Sequence, residues 1–188
     1  MQNTSSLAAT FHRILLIFAT LCFGFSLQAQ NLSALEALAK DNRLKMQFSY
    51  EILTPSGTSN SGNGTIVYQD KSYRIETSDA LICDDGVALW TLNRRFKEVS
   101  VQNSPGTDFL SDPDALSSLL TGGSTGKPQI TCTLSPDKTT AMITLKASDG
   151  ATGKLLLSGI ELQEKGALAD FALDCTTLGK DYVITDLR

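Results

Sequence analysis

Between Gly64 and Val101 apolar and polar residues alternate in short runs, and this period of two restricts the fold more than any other feature. The runs are Ile66/Tyr68, Tyr73/Ile75, Leu81/Cys83, Ala88/Trp90/Leu92 and Val99/Val101. Between them lie Gln69-Asp70-Lys71, Asp84-Asp85-Gly86 and Asn93-Arg94-Arg95, residues suited to tight turns. Successive side chains of a strand point to opposite faces, so the pattern predicts an antiparallel meander with one apolar, aromatic face. Such a face offers a greasy concave surface rather than a set of reactive groups.

The same alternation frames the rest of the chain. Met46, Phe48, Tyr50 and Ile52 mark a first strand, and Thr54 to Gly64 is turn chemistry throughout, read as a hairpin tip. After Pro128 the period returns in Ile130/Cys132/Leu134, Ala141/Ile143/Leu145, Leu155/Leu157 running on to Ile160/Leu162, and Phe171/Leu173/Cys175. Their turns are Pro136-Asp137-Lys138, Ser148-Asp149-Gly150 and Glu164-Lys165-Gly166.

Two segments read as helices. Over 31–45, Ser33 and Glu36 suit a capping box, and Leu32, Leu35, Leu38 and Ala39 form a stripe at helical spacing. Over 112–121, Asp112-Pro113 suits a helix start, Ala115, Leu116, Leu119 and Leu120 supply a stripe, and Gly122-Gly123 stops it. Either helix could pack simply as core or serve as a lid. The prediction is a mainly β (α+β) domain of about nine to eleven strands, either a strongly curved antiparallel sheet with helices over its mouth or a sandwich. The inward set would be Phe48, Tyr50, Ile66, Tyr68, Tyr73, Ile75, Trp90 and Leu92, with Tyr73 and Trp90 lining a pocket.

Residues 1–29 read as a cleavable signal peptide. His12 and Arg13 precede the apolar run Ile14–Phe25, too short to span a bilayer comfortably, and Ala29 suits the cut. The rival, lipidation at Cys22, meets a bulky Leu21 where a small residue is wanted. Residues 30–188 then form one exported domain. Removing the leader takes the single His, one of the 16 basic residues and none of the 20 acidic ones, so the net charge moves from −4 to −5. An acidic chain without His is a poor partner for nucleic acid and excludes His-based catalysis and the commonest zinc ligand. Cys83, Cys132 and Cys175 remain, in no CxxC pair, and suit buried apolar residues or one disulfide of undetermined pairing. No cofactor and no metal is expected.

The words of the chain also resemble a family. Asp-Lys-Ser-Tyr-Arg-Ile (70–75), Cys-Asp-Asp-Gly (83–86), the strand with Trp90, Asn-Arg-Arg (93–95) and Lys-Glu-Val (97–99) follow in the order of the periplasmic outer-membrane lipoprotein carriers, LolA. Leu-Ser-Gly-Ile-Glu-Leu-Gln-Glu-Lys-Gly (157–166) followed by Asp-Phe-Ala-Leu (170–173) resembles the family's late hairpin. Val183 to Arg188 resembles the ending of a LolA-like branch common in Bacteroidetes. The resemblance covers about residues 31–188. It implies an unclosed β-barrel with a helical lid, here Leu35, Leu38, Leu116, Leu119 and Leu120. It also implies acyl cargo, an inner-membrane release transporter as donor and an outer-membrane acceptor. The family's latch Arg aligns with Gln69, with Lys71 and Arg74 nearby; Gln is uncharged and makes a weaker latch.

Three functions follow as expectations. The first is a monomeric periplasmic carrier of lipoproteins or another acylated lipid, and the second a hydrophobic-ligand sensor with the same cavity. The third, an enzyme using Asp84/Asp85 or Asp112/Asp114, is disfavoured because acids in Asp-Gly and Asp-Pro contexts serve turns and caps.

Overall fold

The computed structural model describes residues 30–57, 59–106, 129–146 and 150–188. Helix α1 (Gln30–Asp41) leads into β1 (Arg43–Leu53), β2 (Ser59–Gln69), β3 (Ser72–Glu76), β4 (Ala80–Asp84), β5 (Ala88–Asn93) and β6 (Glu98–Asn103). Next come β7 (Gln129–Leu134), β8 (Thr140–Lys146), β9 (Thr152–Gln163), two 3-10 turns (Leu168–Phe171 and Cys175–Thr177) and β10 (Val183–Asp186). The ten strands among the described residues form one curved sheet in the order β10-β6-β5-β4-β3-β2-β1-β9-β8-β7, not closed into a barrel. Every pairing is antiparallel except β10 with β6.

The helix defines an inner face. Leu35 and Ala39 of α1 are buried in one cluster with Leu44, Met46 and Phe48 of β1, Ile66 and Tyr68 of β2, Tyr73 and Ile75 of β3, and Ile82 of β4. Cys132, Ala141, Ile143, Leu155 and Leu157 extend that cluster across β7, β8 and β9. The helix begins at Gln30, so Ser33 lies inside it rather than at its cap, and β1 starts at Arg43.

A second apolar cluster occupies the opposite, outer face: Leu81, Cys83, Ala88, Leu92, Val99 and Val101, with Trp90 packed against them. It is covered by Leu173, Cys175, Leu178 and Tyr182 of the C-terminal segment. Phe171, Leu173 and Cys175, expected as a strand, instead belong to or flank 3-10 turns that strap this outer face before β10 joins the sheet edge. Their period of two reflects packing against a sheet, not membership of one.

Two further details correct the expected strands. Residues 59–64, read as hairpin tip, are the first half of β2 and pair along β1 from Leu53 to Phe48. Gly62 and Gly64 make this possible. A Cβ on Gly62 would meet the Tyr50 ring at 2.7 Å, and one on Gly64 would meet the Phe48 ring at 2.7 Å and the Glu76 carbonyl at 2.1 Å. Aromatic rings thus lie over bare backbone across the strand pair, filling the space that side chains would take. In β9 the step from Leu155/Leu157 to Ile160/Leu162 marks a bulge against β1, where the register shifts between Lys45 and Gln47 and Gly159 takes φ +59°.

Candidate functional site

The inner face is the candidate site. Cross-strand register places Leu44 opposite Tyr68, Met46 opposite Ile66, Tyr68 opposite Tyr73 and Ile66 opposite Ile75. On the other side of β1, Phe48 faces Leu157 and Tyr50 faces Leu155, which continue to Ala141 and Ile143 and then to Leu134 and Cys132. Alternation sends the charged residues of these strands, among them Lys45, Glu51, Arg74, Glu76, Lys154 and Glu161, to the other face. Among the described residues, the inner face from β3 across to β7 therefore carries no charged side chain. Leu35 and Ala39 of α1 sit in this cluster, with Leu38 packed beside them.

Six of the eight residues expected to face inward do so: Phe48, Tyr50, Ile66, Tyr68, Tyr73 and Ile75. Trp90 and Leu92 do not. Trp90 pairs with Cys83 and Leu92 with Leu81, on the face opposite Ile75 and Ile82. The reason lies in β4, Ala80–Asp84, buried at every position. A strand buried on both faces has no polar face to set the phase, so the apolar set crosses from the inner to the outer face there without a sequence signal.

Phe48 and Tyr50 stack with ring centroids 6.4 Å apart. Burial raises the Tyr50 phenol above its ordinary pKa, with Asp79 adding to the effect. Tyr50 is only half-buried, so this end of the inner face is the end nearer to solvent.

Asp84 is the exception at the other end. It lies beside Tyr73 on the inner face, 2% exposed, and accepts hydrogen bonds from the Gly86 amide (2.7 Å) and the Ser104 hydroxyl (3.0 Å). Burial raises its carboxyl above the ordinary range, against the pull of those two donors. Asp85 accepts from the Val87 and Ala88 amides and shapes the turn. These bonds give both acids structural partners.

The latch candidates fasten something other than a lid. Gln69, 2% exposed, donates from Nε2 to the Gly166 carbonyl (2.8 Å) while its Oε1 accepts from the Gly166 amide (3.0 Å) and from Arg43 Nε (3.0 Å). Arg43 also bonds Asp170 (3.0 Å) and lies 5.1 Å from the Phe171 ring centroid. Gln69 therefore pins the start of the C-terminal strap. Lys165 links this junction to α1 by donating to the Lys40 carbonyl (2.7 Å), and it pairs with Asp70 (2.6 Å). Arg74 points to the outer face, where it donates to Cys83 Sγ (3.6 Å). Sequence reasoning missed Arg43, Gly166 and Phe171 because their partners lie about a hundred residues apart.

The second lid candidate, with Leu116, Leu119 and Leu120, lies outside the described residues, as do residues 1–29 and Asp112/Asp114. Cys83, Cys132 and Cys175 carry thiols, with Cys132 on the inner face and the other two in the outer cluster. Burial pushes the Cys83 thiol up to about 11. Among the described residues no group of three His, Cys, Asp or Glu could hold a metal ion, and no helix is long and apolar enough to cross a membrane.

No protein-family model and no curated protein matches the sequence. Solved structures resemble it in outline. An uncharacterized conserved protein from Thermus thermophilus is similar at 7% identity and TM-score 0.46, over 84% of this chain and 99% of that one. A LolA superfamily protein from Nitrosomonas europaea is similar at 10% identity and TM-score 0.44, over 77% of this chain and 98% of that one.

Proposed function

We propose that this chain is an acyl-chain carrier of the periplasm, exported by the leader at 1–29, that shelters the lipid tails of lipoproteins or of another acylated lipid between membranes. One observation carries the proposal: the inner face from β3 to β7 is continuously apolar and without charge, and it belongs to an open sheet with a helix lying on it. A buried methylene contributes about 0.8 kcal/mol, so a few chain segments held on such a face suffice to outcompete water. Release to a membrane remains possible because the contacts are non-directional and the receiving bilayer is equally apolar.

Binding here involves no bond-making. The binding set is Phe48, Tyr50, Ile66, Tyr68, Tyr73 and Ile75, and α1 serves as cover through Leu35 and Leu38. Separation of α1 from the face would admit cargo, and the Lys165 bond to the end of α1 would resist it. An inner-membrane releasing transporter and an outer-membrane acceptor are the partners this function requires. A ligand sensor that never transfers its cargo would rest on the same face.

The experiment is a two-vesicle assay. The protein is incubated with donor vesicles carrying a fluorescent fatty acid and then with unlabelled acceptors. Protein-dependent transfer supports the carrier, uptake without transfer supports the sensor, and no uptake overturns both.

A further inference from the structure

We infer that the edge strand β10 is a self-association surface, pairing antiparallel with β10 of a second copy of this chain to form a two-fold dimer. This departs from the monomer expected from sequence, and it involves none of the inner-face residues of β3 to β7.

The edge is open and apolar. Val183, Ile184 and Leu187 are 61%, 48% and 61% exposed, and among the described residues no strand covers β10 on its far side. Edges that stay single are usually blunted by shortness, charge, proline or a bulge. β10 is short, at four residues, but carries no charge, proline or bulge before Asp186, whose carboxylate is held by its own Arg188 at 2.6 Å.

The hydrogen-bonding phase is set by β6. Val183 donates to the Lys97 carbonyl and Leu187 to the Val101 carbonyl, each at 2.8 Å. In a strand alternate residues bond to alternate sides, so Ile184 and Asp186 turn their amides and carbonyls outward. Across a two-fold axis these can meet in three registers. With Ile184 opposite itself, Leu187 faces Asp181 and Arg188 faces Lys180 of the second copy, a poor match. With Asp186 opposite itself, two carboxylates meet on the axis. The register with Ile184 opposite Asp186 has neither defect: Thr185 meets Thr185 on the axis, Val183 lies against Leu187, and no like charges face each other. The sequence of β10 is thus self-complementary in one register of the three.

The test is sedimentation of the purified protein over a wide concentration series. The expected result is a reversible step from one chain mass to two. Ile184→Pro removes only an outward amide, a placement an edge strand tolerates. Losing that donor on both copies is expected to weaken the dimer about a hundredfold while leaving the circular dichroism spectrum unchanged. Val183→Lys, which sets a charge against Leu187, is expected to act likewise and covers the case in which the proline variant fails to fold. Register is read separately by cysteine cross-linking against the wild-type background. Thr185→Cys is expected to form a disulfide dimer on mild oxidation, whereas Val183→Cys alone is not, and Val183→Cys mixed with Leu187→Cys is. A chain that stays monomeric throughout, a dimer indifferent to both variants, or self-linking of Val183→Cys would overturn the inference.

Discussion

Gln69 and Gly166 exchange two hydrogen bonds across 97 residues, the amide donating to the Gly166 carbonyl and its oxygen accepting from the Gly166 amide. This pair fixes where the chain leaves the inner sheet and begins to strap the outer face. Because Gln69 is buried, truncation leaves the Gly166 groups without their partner and loosens Arg43. Gln69→Ala is therefore expected to lower stability by about 2–3 kcal/mol in urea unfolding. A loss under about half a kcal/mol would mean that the strap is held elsewhere.

The two glycines under aromatic rings should respond differently. Gly62→Ala meets only the Tyr50 ring, a side chain that can swing, so its cost should be about 1 kcal/mol and largely relieved in the Tyr50→Ala background. Gly64→Ala also meets the backbone carbonyl of Glu76, which cannot move freely, and should cost about 3 kcal/mol or more whatever stands at Phe48. Thermal melts of the four single variants and the two double variants decide it; equal effects at 62 and 64 would contradict the crowding described.

Asp84 gives the fold a pH dependence of definite sign. Its carboxyl holds a proton more tightly folded than unfolded, so folding takes up a proton in the window just above the ordinary carboxylate range of about 4. Its contribution to stability therefore rises as the pH falls through that window and is least favourable at neutral pH. Asp84→Asn can keep both bonds if the Ser104 hydroxyl turns to accept. Unfolding measured from about pH 4 to pH 7 should show the variant at least as stable as wild type at neutral pH and without this slope. An identical slope in both proteins would place the titration elsewhere.

Trp90 separates the two faces experimentally. Trp90→Ala is expected to lower stability by about 2–3 kcal/mol through the outer cluster while leaving fatty-acid affinity within about twofold. Phe48→Ala, on the inner face, is expected to weaken that affinity tenfold or more. Fluorescence titration alongside denaturation reads both quantities, and the reverse pattern would exchange the roles of the faces.

These contrasts also show what the sequence could and could not convey. Alternation and turn residues were enough to place β1 and β3 to β8, because each depends on neighbours a few residues apart, whereas they left an open, curved sheet and a sandwich as equal options and only the family resemblance favoured the former. The face of Trp90 was hidden because β4 is apolar on both sides and breaks the phase. The strand character of Ser59–Gly64 was hidden because glycine normally signals a turn; only its register beneath Phe48 and Tyr50 explains it. Phe171 to Cys175 imitates a strand because packing on a sheet imposes similar spacing. The Gln69–Gly166 junction depends on the closed fold and has no local signal.

The central claim is that the uncharged inner face holds acyl chains, and native mass spectrometry with lipid extraction tests it most directly. The protein would be purified from a periplasm without detergent and its bound material weighed and identified. Acyl lipid or acylated peptide at about one per chain is the expected result. An empty chain that also fails to take up a fluorescent fatty acid would mean that the inner face is filled by its own side chains, and the carrier account would be wrong.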